Sequence, residues 1–566
     1  MVRFKSGRPE KRGGWARAFV TATSGQPRAL RAWRDNNSNS FMGAGTYRKL
    51  YVYDFSGVQN DITPYRLTGT EANNPFTTTN GSTSVSVAHN AHGVIEGDTV
   101  VWAGASTFNN VTMNGTFIVL TVTNANAFVV TANTTANASG SGGGAAVTYS
   151  YEINIGVELG AYGLGWGVGG WGLGTWGSAH ASSTIFIEPR IWSLDNFGQI
   201  LLAAYNGGSL YKWNPSTDYN PLLRSTIVAT APTDFRAMFI TPERFVIALR
   251  DQMVLHGSSQ GDFTIWTPSS SNTAFTRTLQ EGSKLVSGRV LGPFLSLVWS
   301  DGALYLMQYT GSQFVYNVSL AGKDCGLIAP GAAVTVDGKA YWQGQESFWM
   351  YDGSVRKMPH VEDIRDYVFE TLKAEAAFQC HAVYNTRDDE IEFFYTVIGD
   401  TNPMHSVIYG IKDQCWSTHT WGATTLGRVS GTHYTQGDTR PYLGATDGKI
   451  YQHENTNNGD GVAIAWTISM GPIALHEGLM NMRVDGILFD FAQQAGDITV
   501  LAEAWDRLND ASPIDSETEV TTTISGLIDY DICGRYIGLT YSSNVLNSFM
   551  RLGKTTVFMK PKGTAR

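Results

Sequence analysis

Asp447-Gly448-Lys449-Ile450-Tyr451 is one copy of a phrase that recurs along the chain. Asp301-Gly302-Ala303-Leu304-Tyr305 and Asp337-Gly338-Lys339-Ala340-Tyr341 repeat it, and Asn206-Gly207-Gly208-Ser209-Leu210-Tyr211 and Arg48-Lys49-Leu50-Tyr51-Val52-Tyr53 are looser copies. Asp-Gly and Asn-Gly tolerate positive φ at both central positions of a type I′ turn, whose twist matches that of the strands it joins. Each copy therefore predicts a hairpin tip, with an aromatic on a fixed face of the returning strand. Tyr211 lies 43 residues before Val254, in the related Asp251-Gln252-Met253-Val254-Leu255, and Val254 lies 51 before Tyr305. Tyr305 to Trp349 is 44 residues and Tyr409 to Tyr451 is 42. Repeats of roughly 40–50 residues with several strands each predict β-propeller blades. About five or six blades fit the spacing.

Working outward, the 566 residues exceed one ordinary core, so several domains are expected. Sixty-two glycines with 12% aromatic and only 16% charged residues suit short strands and tight turns, not helical bundles. The predicted class is all-β: a propeller, an inserted small β-sandwich, and a C-terminal β domain. No apolar run is long enough for a membrane span, and Met1 to Arg8 lacks the apolar core of a secretory signal. Cys325, Cys380, Cys415 and Cys533 are widely spaced without a CxxC pair, which fits thiols of a reducing cytosol and argues against structural zinc.

Charge is uneven. Residues 1–34 hold nine Lys/Arg against Glu10, about +8, which leaves about −17 on the rest of a chain whose net charge is −9. Residues 1–40 read as an extended basic arm, either a solvated tail or a contact with an acidic neighbour or with DNA phosphates. Nothing in it reads base sequence.

The propeller is expected over 41–66 and 151–460. Between them, 67–150 changes character: charge nearly vanishes, and Val85 to His89, Asp98 to Trp102, Gly115 to Leu120 and Ala127 to Val130 are strand patterns. This predicts an inserted sandwich or barrel closed by the Gly-rich 140–144. His89 and His92 do not make a metal pair at strand spacing. In 160–177 glycine alternates with large apolar groups, including Trp166, Trp171 and Trp176. Ordering so many glycines is costly, so the stretch should pack within the subunit or against another. The recurring Trp192, Trp213, Trp266, Trp299, Trp342, Trp349, Trp416 and Trp421 suit packing between blades. Val361 to Ala377 carries a helical stripe. Residues 461–566 alternate as a second β domain.

The chain also resembles virion proteins of short-tailed phages. The residues concerned are Gly13-Gly14-Trp15 after a basic start, Gly43 to Tyr53, Asp61-Ile62-Thr63-Pro64, His92 to Val100, Asn114 to Phe117, the Gly-Trp stretch and Gly534 to Leu539. The resemblance is to the tail nozzle, or tail tubular protein B, family. It implies a structural part of the podovirus virion, made in the host cytoplasm: a hexameric ring below the head-to-tail adaptor, around the DNA ejection channel. Its implied partners are further copies of the chain, the adaptor, tail fibre or tip proteins, and genomic DNA in passage. On this reading Arg3, Lys5, Arg8, Lys11, Arg12, Trp15, Trp166, Trp171 and Trp176 are candidate contacts between subunits or with partners.

The rival reading is a propeller that binds or cleaves glycans. Glycoside hydrolysis needs two converging carboxylates. The densest acids, Asp388-Asp389-Glu390 with Glu392, read instead as a solvated hairpin tip. No nucleophile elbow or HExxH motif occurs. The expectation is no catalysis, no cofactor and no metal, with part of the acidic excess facing the DNA channel and the basic arm meeting another protein.

Overall fold

The structure is a computed structural model that describes residues 2–162, 186–312, 314–421, 426–433, 439–522 and 525–563. The fold is all-β, with a propeller at its centre. Among the described residues seven four-stranded antiparallel sheets form the blades, one or two more than the repeat spacing suggests. Their inner strands are Ala29–Arg34, Trp192–Phe197, Phe235–Ile240, Leu285–Gly292, Ala333–Val336, His381–Asn385 and Arg428–His433, which number blades 1 to 7. Each inner strand packs on the next, and Ala29–Arg34 touches both Trp192–Phe197 and Arg428–His433, so the ring is closed.

The recurring phrase does mark hairpins. Asp447, Asp301 and Asn206 sit between the second and third strands of their blades, whereas Asp337 sits between the first and second. Only Asp337-Gly338 has positive φ at both positions. At Asp447 the loop is longer, and Gly448 alone takes the left-handed conformation. The following tyrosines do reach one buried face: Tyr211, Tyr305 and Tyr451 are all buried. Trp213, Trp299 and Trp342 are fully buried, and the Trp299 and Trp342 rings lie 5.6 Å apart between blades 4 and 5. The helical stripe splits: Glu362–Phe369 is an α-helix, and Ala374–Gln379 is a separate 3-10 turn.

Between blades 1 and 2 the chain leaves along Tyr65–Thr70 and returns along Thr148–Glu152, which pair antiparallel. The eight-stranded sheet between them curls over its own core of Phe76, Trp102, Phe128 and Tyr151. Buried in it, the Glu71 carboxylate accepts from Trp102 Nε1 and Tyr151 Oη and pairs with His89. At its base Lys49 Nζ lies 2.6 Å from Glu152 and 3.0 Å from Asp61, with Arg224 joining both acids.

The expected free arm does not exist. Val2–Lys5 and Arg8–Lys11 form a hairpin in a sheet with Phe549–Arg551 and Gln493–Ala495 of the C-terminal region. Trp15–Arg17 is the outermost strand of blade 7, paired with Ile450–His453, and Ala29–Arg34 opens blade 1. The residues expected to form an arm are thus divided between the C-terminal sheet and the propeller. The reason is charge and close approach: the basic groups find buried acids, and Gly13 and Gly14 let the backbone in. A Cβ on Gly14 would lie 2.0 Å from the Asn458 carbonyl oxygen, and one on Gly13 would lie 2.4 Å from Glu454 Oε2.

Beyond blade 7, the sheet containing Trp466–Ala474, Tyr536–Ser543 and Ile498–Trp505 packs on the one formed by Ser525–Gly534, Asn481–Asp490 and Lys554–Gly563. No helix among the described residues is long and apolar enough to cross a membrane.

Candidate functional site

Most of the basic residues singled out in the sequence converge on one buried junction. It lies where the N-terminal hairpin, blades 6 and 7 and the C-terminal sheet meet. The acids come from the second strand of blade 6, Glu390–Tyr395, and from Glu454 just after the third strand of blade 7. Alternation along a strand would send Glu390 and Glu392 to the same face, and the N-terminal segment covers that face. The acids 388, 390 and 392 are therefore not a solvated tip: all three side chains are buried.

Arg3 is the hub. It contacts Glu454 at 2.5 Å, Glu390 at 3.2 Å and Glu10 at 3.4 Å, and it also pairs with Asp388. Lys5 reaches Asp388 at 2.7 Å. Arg12 Nη2 donates to Glu392 Oε2 at 2.9 Å, and Ser406 Oγ donates to Glu392 Oε1 at 2.6 Å. Burial alone would raise the Glu392 carboxyl, but Arg12 beside it holds it well below the usual range. At Glu390 burial outweighs Arg3 and Arg12, and the carboxyl is raised. His419, 3.4 Å from Glu392, is pushed down to about 4 by burial and stays neutral near neutral pH. Desolvated ions are tolerated only when paired in good geometry. Here each buried acid has a cation.

Beside this cluster Arg428 is fully buried. Its Nε donates to His453 Nε2 at 3.0 Å, and its guanidinium lies 4.5 Å from the Trp421 ring, 5.0 Å from Tyr451 and 5.1 Å from Trp15. Cation–π contacts stand where a carboxylate is absent. Lys11 Nζ is buried against the carbonyls of Asn457 and Ser548 at 2.5 and 2.7 Å, and burial pushes it down to about 8.

Of the candidate contact residues, Arg3, Lys11, Arg12 and Trp15 are thus buried against this chain's own residues, so the expectation that they meet another protein gives way. Lys5 is half-buried and Arg8 is exposed. Trp166, Trp171 and Trp176 lie outside the described residues. Asp388, Glu390, Glu392 and Glu454 were missed as partners. The signal was present as a basic segment and an acid run of matching size, but their separation of some 380 positions hid the match. The arrangement binds and immobilises. A pocket of about 130 Å³ opens over Asp388 and Glu390, yet both acids are engaged by Arg3. No group of three or more His, Cys, Asp or Glu side chains among the described residues could hold a metal.

No family model matches the chain, and no curated protein matches it. Among solved structures, a phage phi92 endosialidase is similar at 10% identity and a TM-score of 0.20, over 72% of this chain and 60% of that one. The C-terminal WD40 domain of Sif2 is similar at 11% identity and a TM-score of 0.30, over 46% and 66%. A chain of a mitotic checkpoint complex gives 12% identity and 0.28, over 46% and 86%. Likenesses this distant carry no functional argument, and the present chain spans 60% of the endosialidase chain's length.

Proposed function

We propose that this chain is a structural component of a short-tailed phage virion, a subunit of the tail nozzle ring below the adaptor. The observation that carries the reading is the buried junction of Arg3, Arg12, Glu390, Glu392 and Glu454, which binds the first residues of the chain to its last third. It ties the propeller and the C-terminal sheets into one stiff unit, and its carboxylates are held by arginines and kept from water. Such chemistry suits a part that transmits force. The resemblance of Gly43 to Tyr53, Asp61 to Pro64 and His92 to Val100 to short-tailed phage tail proteins supports the same reading. In it, the chain assembles with its own copies as a hexamer, contacts the adaptor and the fibre or tip proteins, and lets DNA pass without holding it. It performs no catalysis. Heterologous contacts that close produce such rings.

The test is assembly with the adaptor, followed by mass measurement and imaging of the particles. A ring with an axial channel is expected. A persistent monomer that makes no contact in the virion overturns the proposal.

A second reading, glycan binding, is favoured by one feature. A cavity of about 550 Å³ at the seam between the insert and blade 2 is lined by Tyr65, Tyr205, Tyr211, Arg66 and Arg190, with Arg190 stacked 4.2 Å over Tyr205. A glycan array decides: retention that Tyr65→Ala abolishes would favour this reading over the first.

A further inference from the structure

The axis of the propeller holds a cavity of about 320 Å³ to which all seven inner strands contribute. Each of those strands has its ladder partner on one side only, so the edges facing the axis present backbone N–H and C=O groups, some of which find other partners, as Ala382 N–H does in the Gly331 carbonyl. Among these walls are three guanidiniums, Arg28, Arg31 and Arg289, and one carboxylate, Asp195.

The single carboxylate is fully engaged. Arg31 Nη2 lies 2.7 Å from Asp195 Oδ1, and the backbone N–H groups of Ile240 and Asn196 also donate to it. Arg28 is turned to the Glu158 carbonyl and to Gln26, and stacks over Phe378. Arg289 differs. Its one contact among the described residues is a 3.3 Å hydrogen bond to the Pro330 carbonyl, and no carboxylate lies within ion-pair distance. It is still partly open to water. Burial and the neighbouring Arg31 disfavour its charge, while Asp195 favours it. His433, held down by burial and by Arg31, adds no charge near neutral pH. Arg289, Arg31 and Asp195 together leave one positive charge unmatched inside a narrow space. A guanidinium fork presents parallel donors that suit an oxyanion, and such pairs are among the stronger hydrogen bonds.

We propose that the axial cavity of the propeller binds an oxyanion, a phosphate or a carboxylate, on Arg289, with Arg31 beside it. The site is separate from the buried junction and does not depend on the tail reading.

The test uses the full chain, with sodium phosphate and sodium citrate as separate probes at ionic strength held constant with sodium chloride. Calorimetric titration and the melting midpoint are the readouts. Saturable binding of at least one probe is expected, weakened about tenfold or more in Arg289→Gln and to a lesser degree in Arg289→Lys, which keeps the charge but loses the fork. Binding of phosphate alone assigns the site to phosphoryl groups; binding of citrate assigns it to carboxylates. In chloride alone Arg289→Gln should melt at or above the parent temperature, because an unmatched charge has been removed. If Arg289→Gln does not fold, Arg31→Gln, which perturbs the same field from the cavity wall, must weaken binding. The proposal fails if neither probe binds the parent chain, or if binding is unchanged in the folded variants.

Discussion

Arg12 and Glu392 stand 380 positions apart in sequence and 2.9 Å apart in space, both shielded from water. Removing one member of such a pair strands the other charge. Arg12→Ala or Glu392→Ala should each destabilise the fold by about 3–5 kcal/mol. Arg12→Met combined with Glu392→Leu should recover much of that loss, because neither charge is then buried alone. Denaturant unfolding of the four proteins checks this, and a double variant as weak as the sum of the singles would contradict it.

Acid should loosen the junction. The folded His419 titrates near 4 against an ordinary 6.5. Between those values the unfolded chain takes up a proton that the folded chain does not, so stability falls as pH drops from 6.5 towards 4. His381, pushed down to about 4 by burial, acts in the same direction. Lys11 works at the other end: its folded value of about 8 lies below the ordinary 10.5. Stability should therefore gain from Lys11 as pH rises from about 8 to about 10.5. Melting midpoints against pH should fall less steeply on the acid side in His419→Gln and lose the alkaline gain in Lys11→Met.

Deleting residues 2–17 removes the outer strand of blade 7 together with the hairpin that carries Arg3 and Lys11, and Arg12 just after it. The Ile450–His453 edge is then exposed, an invitation to edge-to-edge pairing. Aggregation in size-exclusion chromatography and rapid proteolysis of blade 7 are expected. A monomeric chain with an unaltered melting point would show that closure adds little.

Deleting Leu67 to Thr148 with a short linker should leave the propeller folded. The entry and exit strands pair, so the cut ends are adjacent, and Lys49, Asp61, Glu152 and Arg224 all remain. Loss of cooperative unfolding would show that the insert is integral.

The propeller was legible because turn chemistry and the aromatic after it are local signals. The blade count was not. In blade 5 Asp337-Gly338 occupies the first hairpin, while in blade 6 the link from Tyr395 to His405 carries no Asp-Gly. Blade 7 is split between Trp15–Arg17 and residues 428–453, a join that no window along the sequence can see. The junction was illegible for the same reason. Arg3 and Arg12 looked like a free arm because their partners lie hundreds of residues away, and pattern reading registers a charge but not what it meets. Trp213, Trp299 and Trp342 went to the core as their strand settings suggested.

Closure by the first strand also sets a timetable. Residues 2–17 are synthesised more than 400 residues ahead of two of their partners, since Trp15–Arg17 pairs with Ile450–His453 and Glu10 contacts Arg551. At cellular synthesis rates of about 5–20 residues per second, that segment waits on the order of half a minute to nearly two minutes for its partners. A copy halted early keeps an unpaired edge and unmatched arginines at its beginning. A chain that lacks its last third therefore differs from a finished one in what residues 2–17 expose.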